Sequence, residues 1–253
     1  MLHRQSCIVT CGGSPLHGRR GLAMHKQIRD LCAQQTPIAV LIPTATYDNP
    51  ETAAAFERVY GDRLGCDTRV MNLLGATPAL TKLRDVVRSA DIIFVSGGNT
   101  LKAMRRWRKL GVDRLLRQAH RRGTVLAGSS AGAICWYAFG HSDSMAYYDP
   151  DHWDYIRVRG LGIIPATCCP HVLAEDRIDH FQGMIGHRGG IGIGIDNDCA
   201  IAWLGTRYRV LTTRQGAKAF RIVRSRGKVV TTVIEPAHEG RPVAELLKDT
   251  GST

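Results

Sequence analysis

The tract most able to do chemistry joins an apolar run to a turn of small residues with a hydroxyl at its centre. Residues 125–133 read Val-Leu-Ala-Gly-Ser-Ser-Ala-Gly-Ala. The Gly-x-Ser-x-Gly pattern inside this tract, called the elbow below, is typical of a strand that passes directly into a helix and exposes the central hydroxyl above the sheet edge. It predicts Ser130 as a nucleophile. A tight strand-to-helix connection without a catalytic role is the alternative.

A serine nucleophile needs a general base on another loop at the same edge of the sheet. His171 is the best candidate among the ten histidines, because it follows Pro170 at the end of the apolar segment 166–169. Such a segment would deliver an imidazole into a cleft. His141 is the competitor, and a structural place in a loop is the alternative for His171.

The imidazole in turn needs an acidic partner that fixes its tautomer and stabilises the imidazolium. Asp143 stands in a turn rich in Gly and Ser just beyond the elbow helix. It is predicted as the third member of a triad, although Asp also forms such turns for purely local reasons. Four other carboxylates remain open as the acid: Glu175, Asp176, Asp196 and Asp198.

A developing oxyanion needs two donors that are already in place. The backbone N–H of Ala131, at the start of the elbow helix, is the predicted first donor. Gly98 is the predicted second donor, because a Gly-Gly turn lets a backbone amide approach a substrate without an intervening Cβ. A plain strand-ending turn is equally natural there.

These residues resemble the aspartyl dipeptidase (peptidase E) and cyanophycinase group of serine peptidases, which shares its core with class I glutamine amidotransferases. The resemblance covers most of the chain and rests on six segments: 10–13, 42–45, 96–100, 128–133, 169–171 and 192–196. It implies a nucleophile at Ser130, a base at His171 and an oxyanion-hole turn at Gly98. In the dipeptidase branch a short turn after the elbow helix holds the acid. Asp143 matches that acid in type, although the intervening length differs slightly.

The activity that the resemblance implies is hydrolysis of small peptides, above all dipeptides with an N-terminal aspartate, through an acyl-enzyme on Ser130. His171 would accept the serine proton, donate it to the leaving amine and then activate the deacylating water. Glutaminase activity is not expected, because that thioester chemistry relies on a cysteine thiolate. Cys135 lies inside the elbow helix and cannot replace the serine.

Three further residues are candidates for contacts with the substrate. Arg177 could select a substrate carboxylate through a bidentate contact. The alternative is a surface arginine that pairs with Asp176 or Asp179. Asn99 and Thr100 could touch polar groups of the substrate, but they equally suit the N-terminal cap of a helix.

The elements that must position these residues follow from the hydrophobic pattern. Short apolar runs alternate with helix-patterned segments up to about residue 140, which is typical of a wound, mainly parallel sheet flanked by helices. Strands are predicted at 7–11, 38–42, 68–74, 91–95 and 124–127, and helices at 22–34, 51–64, 79–89, 99–122 and 131–139. Antiparallel additions to the sheet edge are predicted in the C-terminal third, with strands at 157–164, 191–195, 199–204, 207–212, 217–223 and 228–234 and a helix at 174–186.

The predicted fold class is therefore α/β, and the resemblance implies the flavodoxin-like core of class I glutamine amidotransferases. We expect one hydrolytic domain over residues 1–253, with the segment from about 236 to 253 loosely held.

Composition limits the remaining possibilities. The net charge is +12, and the densest basic run lies at 105–122. Apolar residues recur there at helical spacing, so we interpret the run as amphipathic helices with solvated basic faces, and no nucleic-acid partner is expected. The eight cysteines show no CxxC pair, which favours reduced, structural thiols and gives no reason to expect a metal or a cofactor.

We expect a cytoplasmic protein, because no signal-peptide pattern or long apolar stretch is present. We also expect a monomer or a homodimer. Its expected partner is a small peptide substrate, with no membrane association. Three other functions stay open, because a fold does not fix a substrate. They are a cyanophycinase-like or other hydrolase of acidic peptides or amides, a non-catalytic binding protein, and nucleic-acid association through the basic helices.

Overall fold

The computed structural model describes residues 6–76, 78–236 and 239–248. Its strands are β1 (Cys7–Cys11), β2 (Ile38–Ile42), β3 (Asp67–Val70), β4 (Ile92–Val95), β5 (Val125–Ser129), β6 (Tyr137–Ser142), β7 (Ile156–Arg159), β8 (Ile164–Pro170), β9 (Ile191–Ile195), β10 (Cys199–Leu204), β11 (Arg207–Thr212), β12 (Ala219–Ser225), β13 (Lys228–Ile234) and β14 (Arg241–Pro242). Its α-helices are α1 (Gly18–Arg29), α2 (Pro50–Phe56), α3 (Leu80–Ser89), α4 (Thr100–Leu110), α5 (Val112–Arg121), α6 (Ala131–Ile134), α7 (Ile178–Arg188) and α8 (Ala244–Leu247), and α2 continues into a π-helical stretch, Glu57–Arg63.

The first sheet confirms the predicted wound, mainly parallel α/β fold. Its strand order is β14-β11-β10-β1-β5-β4-β2-β3, and the five strands from β1 to β3 are parallel. The chain reverses its winding direction between β2 and β4, as it does at the switch point of a flavodoxin-like sheet. Strands β10, β11 and β14 add to the β1 edge in antiparallel pairs, as predicted for this region.

A second sheet of six strands was not predicted. Its order is β13-β12-β9-β8-β6-β7, and β6, β8 and β9 are parallel to one another. The helix predicted at 131–139 is wrong beyond Ile134, because Tyr137–Ser142 pairs with β7 on one side and β8 on the other. Pairing with distant strands overrides the local pattern here. The strand predicted at 157–164 is likewise two separate strands, β7 and β8.

The layers pack through alternating strand faces, as β1 illustrates. Ile8 belongs to a hydrophobic cluster that includes residues of both sheets and of α4 and α5, whereas Val9 belongs to a cluster with α1 and α2. This alternation is the period of two that a strand imposes. A third cluster packs α7 against β8 and β12.

The basic run contains two helices, α4 and α5, which Gly111 separates with a φ of 73°. Their apolar faces are buried, with Trp107 and Leu116 fully inside, so the predicted amphipathic character is confirmed. The basic residues also make structural contacts, since the Arg108 guanidinium donates to the Arg159 carbonyl at 2.6 Å.

The structure bears on three other predicted features. All eight cysteines are free and buried. Across the described part of the chain, no helix has the length and apolar character needed to cross a bilayer. Within the segment predicted to be loosely held, Val243 donates its N–H to Thr206 and Leu246 is buried, so residues 241–248 pack against the sheet edge. Residues 237–238 and 249–253 of that segment lie outside the described residues.

The buried His25 gives a prediction about stability and pH. Burial lowers the pKa of His25 to about 4, although backbone hydrogen bonds with Pro15 and Ser14 act in the opposite direction. The unfolded chain, with an ordinary pKa of about 6.5, takes up this proton first as the pH falls. The stabilisation from neutral His25 is therefore complete above about pH 6.5 and is lost as the pH falls towards 4.

We expect this group to remove about 2 kcal/mol of unfolding free energy between pH 7 and pH 5. Urea unfolding of the wild type and of His25→Gln at both pH values measures the effect, and the variant should show the shallower pH dependence. Equal pH dependence in the two proteins would contradict this account.

Candidate active site

The candidate site lies where the carboxyl ends of several strands meet. Strand β5 ends at the elbow, β4 ends at the Gly97-Gly98 turn, and β8 ends directly before His171. A cavity of about 660 Å³ opens at this edge, which is the place where ligands bind in open α/β sheets and a size typical of a small-molecule site. The cavity is lined by Gly13, Ser14, Pro15, Leu16, His17, Thr46, Glu51, Thr52, Ala55, Phe94, Ser96, Gly97, Ser129, His171, Asn197 and Asp198.

The elbow has the strained geometry that its sequence pattern predicts. Ser130 has φ 56° and ψ −117°, and its N–H donates to the Cys11 carbonyl at 3.0 Å. A Cβ on Gly128 would lie 2.9 Å from the Gly132 Cα, and one on Gly132 would lie 2.9 Å from the Ser96 carbonyl oxygen. Both glycines are therefore required by close backbone packing, which holds the serine in its conformation.

The predicted oxyanion-hole residues flank the elbow. Gly98 has φ 111°, which favours glycine, and Ala131 begins α6. Among the turn and cap hydrogen bonds of the described residues, neither of these two N–H groups donates to a carbonyl. A Cβ built on Gly97 would lie 3.3 Å from the Ser130 Cβ, so this turn packs directly against the elbow. A role for the two N–H groups in an oxyanion hole stays a prediction.

His171 lines the same cavity and its side chain is 17% exposed. Like Ser130, His171 has a backbone in the left-handed region, with a φ of 53°. In the described part of the chain no hydrogen bond joins it to Ser130, and catalytic hydrogen bonds often tighten only when substrate binds. Its Nδ1 lies 2.6 Å from the Asn197 Oδ1 and 3.7 Å from a Glu175 carboxylate oxygen.

Asn197 is a site residue that the sequence analysis did not single out. The register of the parallel strands β8 and β9 pairs Pro170 with Ile195, so the residues that follow the two strands emerge side by side. Gly13 forms a bridge with Asn197 and accepts a hydrogen bond from Asp198. The signal available in the sequence was a polar residue two positions beyond Ile195, the last residue of a short apolar strand.

Asp143 does not contact His171 in the structure. Its carboxylate accepts a hydrogen bond from the Arg177 Nη2 at 2.9 Å. The Arg177 Nε also donates to the Glu175 Oε2 at 2.8 Å. The acid predicted for the triad is therefore paired with the arginine predicted for the substrate, and Glu175 is the carboxylate that lies next to the imidazole.

Arg177 is held within the protein and does not line the cavity. Its side chain is 2% exposed. Burial alone would lower the pKa of Arg177, but Asp143 and Glu175 outweigh burial and raise it above its ordinary value. Both partners would have to be displaced before this guanidinium could bind a substrate carboxylate, so the structure does not support the predicted contact.

The remaining candidate residues have structural partners. Asn99 caps α4 by accepting from the Lys102 N–H at 2.9 Å, and its amide also donates to the Tyr47 hydroxyl. Thr100 is buried in the first turn of the same helix. Neither residue lines the cavity.

The other carboxylates left open as the acid also lie elsewhere. Asp196 accepts from the Ala174 N–H, and both Asp196 and Asp198 pair with Arg214. Asp176 occupies a turn with φ 51°. None of the three contacts the His171 ring among the described interactions.

His141, the competing base, is buried beside His180 and Cys169. Burial, together with Arg177 and His180, lowers the pKa of His141 to about 3. Cys135, directly after α6, is also buried, and burial raises the pKa of its thiol to about 12. An imidazole with so low a pKa is a poor proton acceptor, and a thiol with so high a pKa is not a thiolate near neutral pH.

The charged side chains that line the cavity are acidic, namely Glu51 and Asp198. Asp198 is paired with Arg20 at 3.4 Å and with Arg214 at 3.2 Å. Both arginines therefore lie close to a carboxylate that lines the cavity, and Arg20 is well exposed.

Comparisons with known proteins identify a peptidase family. A family model described as peptidase family S51 matches residues 8–211. An uncharacterized peptidase, YgaJ of Bacillus subtilis (strain 168), is 29% identical over 205 residues, which cover 80% of this chain and 85% of that protein. The uncharacterized peptidase Lin0382 of Listeria innocua is 34% identical over 65 residues, 26% of this chain and 31% of that protein.

Solved structures show the same fold. The crystal structure of a peptidase from an acI-B1 actinobacterium superposes with a TM-score of 0.72 at 18% identity, covering 95% of this chain and 98% of that one. A Listeria monocytogenes EGD-e protein provisionally assigned to peptidase E superposes with a TM-score of 0.59 at 16% identity, covering 91% of this chain and 100% of that one. At these identities the superpositions establish the fold alone.

Gly13 gives a prediction that tests the packing of the site. A Cβ there would lie 2.9 Å from the His171 Cε1 and would also clash with the Asn197 side chain. Gly13→Ala should therefore shift the imidazole and lower kcat/KM about 10²-fold, the typical cost of a misplacement near 1 Å. Gly183→Ala is the matched control, because a Cβ at Gly183, within α7, has nothing within 4 Å. Equal activity in both variants would contradict the described packing.

Proposed function

Because the chain belongs to peptidase family S51, we propose that it is a serine peptidase that cuts small peptides through an acyl-enzyme on Ser130. The observation that carries the proposal is the elbow: Ser130 has a strained backbone, and the adjacent Ser129 lines the same cavity as His171. Strain of this kind costs on the order of 1–3 kcal/mol and persists where the surrounding structure enforces it, commonly at active sites.

The proposed reaction uses the groups at this edge of the sheet. Ser130 Oγ attacks the substrate carbonyl carbon while its proton passes to the His171 Nε2. The N–H groups of Gly98 and Ala131 stabilise the negative charge that develops on the carbonyl oxygen. His171 then gives the proton to the leaving amine, and the acyl-enzyme remains on Ser130. A water molecule, activated by the same imidazole, releases the acid product.

Dipeptides with an N-terminal aspartate are the proposed preferred substrates, as the resemblance to aspartyl dipeptidases implies. The cavity volume suits a dipeptide. Glu51 is a carboxylate that could bind the free ammonium group of such a substrate. Arg20 and Arg214 each contact Asp198, which lines the cavity. We assign recognition of the aspartyl side chain to Arg20, whose side chain is exposed and lies 3.4 Å from Asp198, and not to the buried Arg177.

Hydrolysis of a small dipeptide panel tests the proposed function. Asp-Leu, Glu-Leu, Asn-Leu, Ala-Leu and β-Asp-Leu are incubated with the wild type and with Ser130→Ala. We expect cleavage of Asp-Leu in preference to the others, and a loss of more than about 10³-fold in the variant. The control is Ser225→Ala, at the far end of β12.

Each other outcome removes a defined part of the proposal. Cleavage of another dipeptide in place of Asp-Leu leaves a serine peptidase but ends the aspartyl assignment. Cleavage only of longer acidic peptides or other amides favours a cyanophycinase-like hydrolase. Undiminished activity in Ser130→Ala would refute the nucleophile. No hydrolysis of any peptide would favour a binding protein of the same fold.

A further inference from the structure

The group closest to the base of the proposed site is a neutral amide. The Asn197 Oδ1 lies 2.6 Å from the His171 Nδ1, and both residues line the cavity. The backbone of Asn197 is held in place, because it forms a β-bridge with Gly13 and the N–H of Asp198 donates to the Gly13 carbonyl. The ordered backbone therefore positions the Asn197 side chain next to His171.

An amide oxygen can only accept a hydrogen bond, so the contact has a definite consequence for the imidazole. The His171 Nδ1 must carry a proton, which leaves the Nε2 lone pair free to accept the proton of Ser130. This is the tautomer that a general base requires in a serine triad. The amide fixes the tautomer and the ring orientation without placing a negative charge next to the imidazole.

The carboxylates around His171 are engaged elsewhere. Glu175 lies 3.7 Å from Nδ1, beyond hydrogen-bond distance, and its other oxygen binds Arg177 at 2.8 Å. Arg177 is in turn paired with Asp143. From the β9–β10 loop, Asp196 and Asp198 face this region, and both are paired with Arg214. Each of these four carboxylates thus has an arginine partner, and the group that accepts the direct hydrogen bond from the imidazole is the Asn197 amide oxygen.

We propose that Asn197 is the positioning residue of the base, so that the site works as Ser130, His171 and Asn197 with an amide as the third member. This inference rests on the proposed function. During acylation the serine proton moves to the His171 Nε2 and later to the leaving amine. The Nδ1 proton stays in its hydrogen bond to Asn197, and the amide neither gains nor loses a proton.

Three substitutions distinguish this arrangement from its alternatives. Asn197→Ala removes the acceptor and should lower kcat on the order of 10²-fold with little change in KM. Asn197→Asp keeps the acceptor and should retain kcat. Its added charge favours the imidazolium, so the acidic limb of the kcat/KM profile should move to higher pH. Glu175→Gln should cost less than Asn197→Ala, and Asn72→Ala at an exposed position is the matched control.

A second readout does not depend on finding a substrate. The ¹⁵N shifts of the His171 ring, assigned by comparison with His171→Gln, report which nitrogen carries the proton. We expect the Nδ1–H tautomer in the wild type and in Asn197→Asp, and a mixture of tautomers in Asn197→Ala. If no peptide is cut, the proposed function fails, and this tautomer alone decides the inference.

Three results would overturn the proposal. They are an Nε2–H tautomer in the wild type, wild-type kcat in a folded Asn197→Ala, and a larger loss in Glu175→Gln than in Asn197→Ala. The last result would identify Glu175 as the partner of the base.

Discussion

The backbone conformation of Ser130 is the constraint on which the rest of the site depends. Its φ of 56° is one that a serine rarely adopts. Close contacts of the neighbouring backbone maintain this conformation. The Ser130 N–H is bonded to Cys11, and the glycines at 128 and 132 allow a backbone approach that any Cβ would prevent. These contacts come from β1, β4 and β5, so the parallel sheet itself holds the hydroxyl at its edge. A Cβ at either glycine would therefore displace the backbone that holds the Ser130 hydroxyl.

The pairing of β8 with β9 is the second determinant, and it sets the surroundings of the imidazole. Because these neighbouring parallel strands end together, His171 and Asn197 emerge at the same place from segments that are distant in sequence. Beside them the buried Arg177 pairs with the partly exposed carboxylates of Asp143 and Glu175. Charge is thus balanced near the ring, and the closest polar contact to the base is an uncharged one.

Local sequence patterns predicted the parts of this arrangement that depend on local structure. The small residues at 128–132 predicted the elbow, and the alternation of apolar runs predicted the parallel sheet, because both are determined within short segments. The second sheet was missed because Tyr137–Ser142 becomes a strand only through its pairing with β7 and β8. The contacts of Asp143 and His171 could not be predicted for the same reason. Local sequence indicates that these residues lie in a turn and a loop, but it does not show which distant residues they contact. Asn197 follows an apolar strand, but only the strand register shows that it meets the histidine.

The central claim is that Ser130, His171 and the two flanking N–H groups form one acyl-transfer site. A crystal structure of the protein after reaction with a serine-directed phosphonate tests it most directly. The account predicts a single covalent bond from phosphorus to the Ser130 Oγ, with one phosphonyl oxygen about 2.7–3.1 Å from the N–H nitrogens of both Gly98 and Ala131, and the His171 Nε2 facing the adduct. An unmodified Ser130, an adduct on Ser129, or an adduct whose oxygen points away from both N–H groups would contradict it.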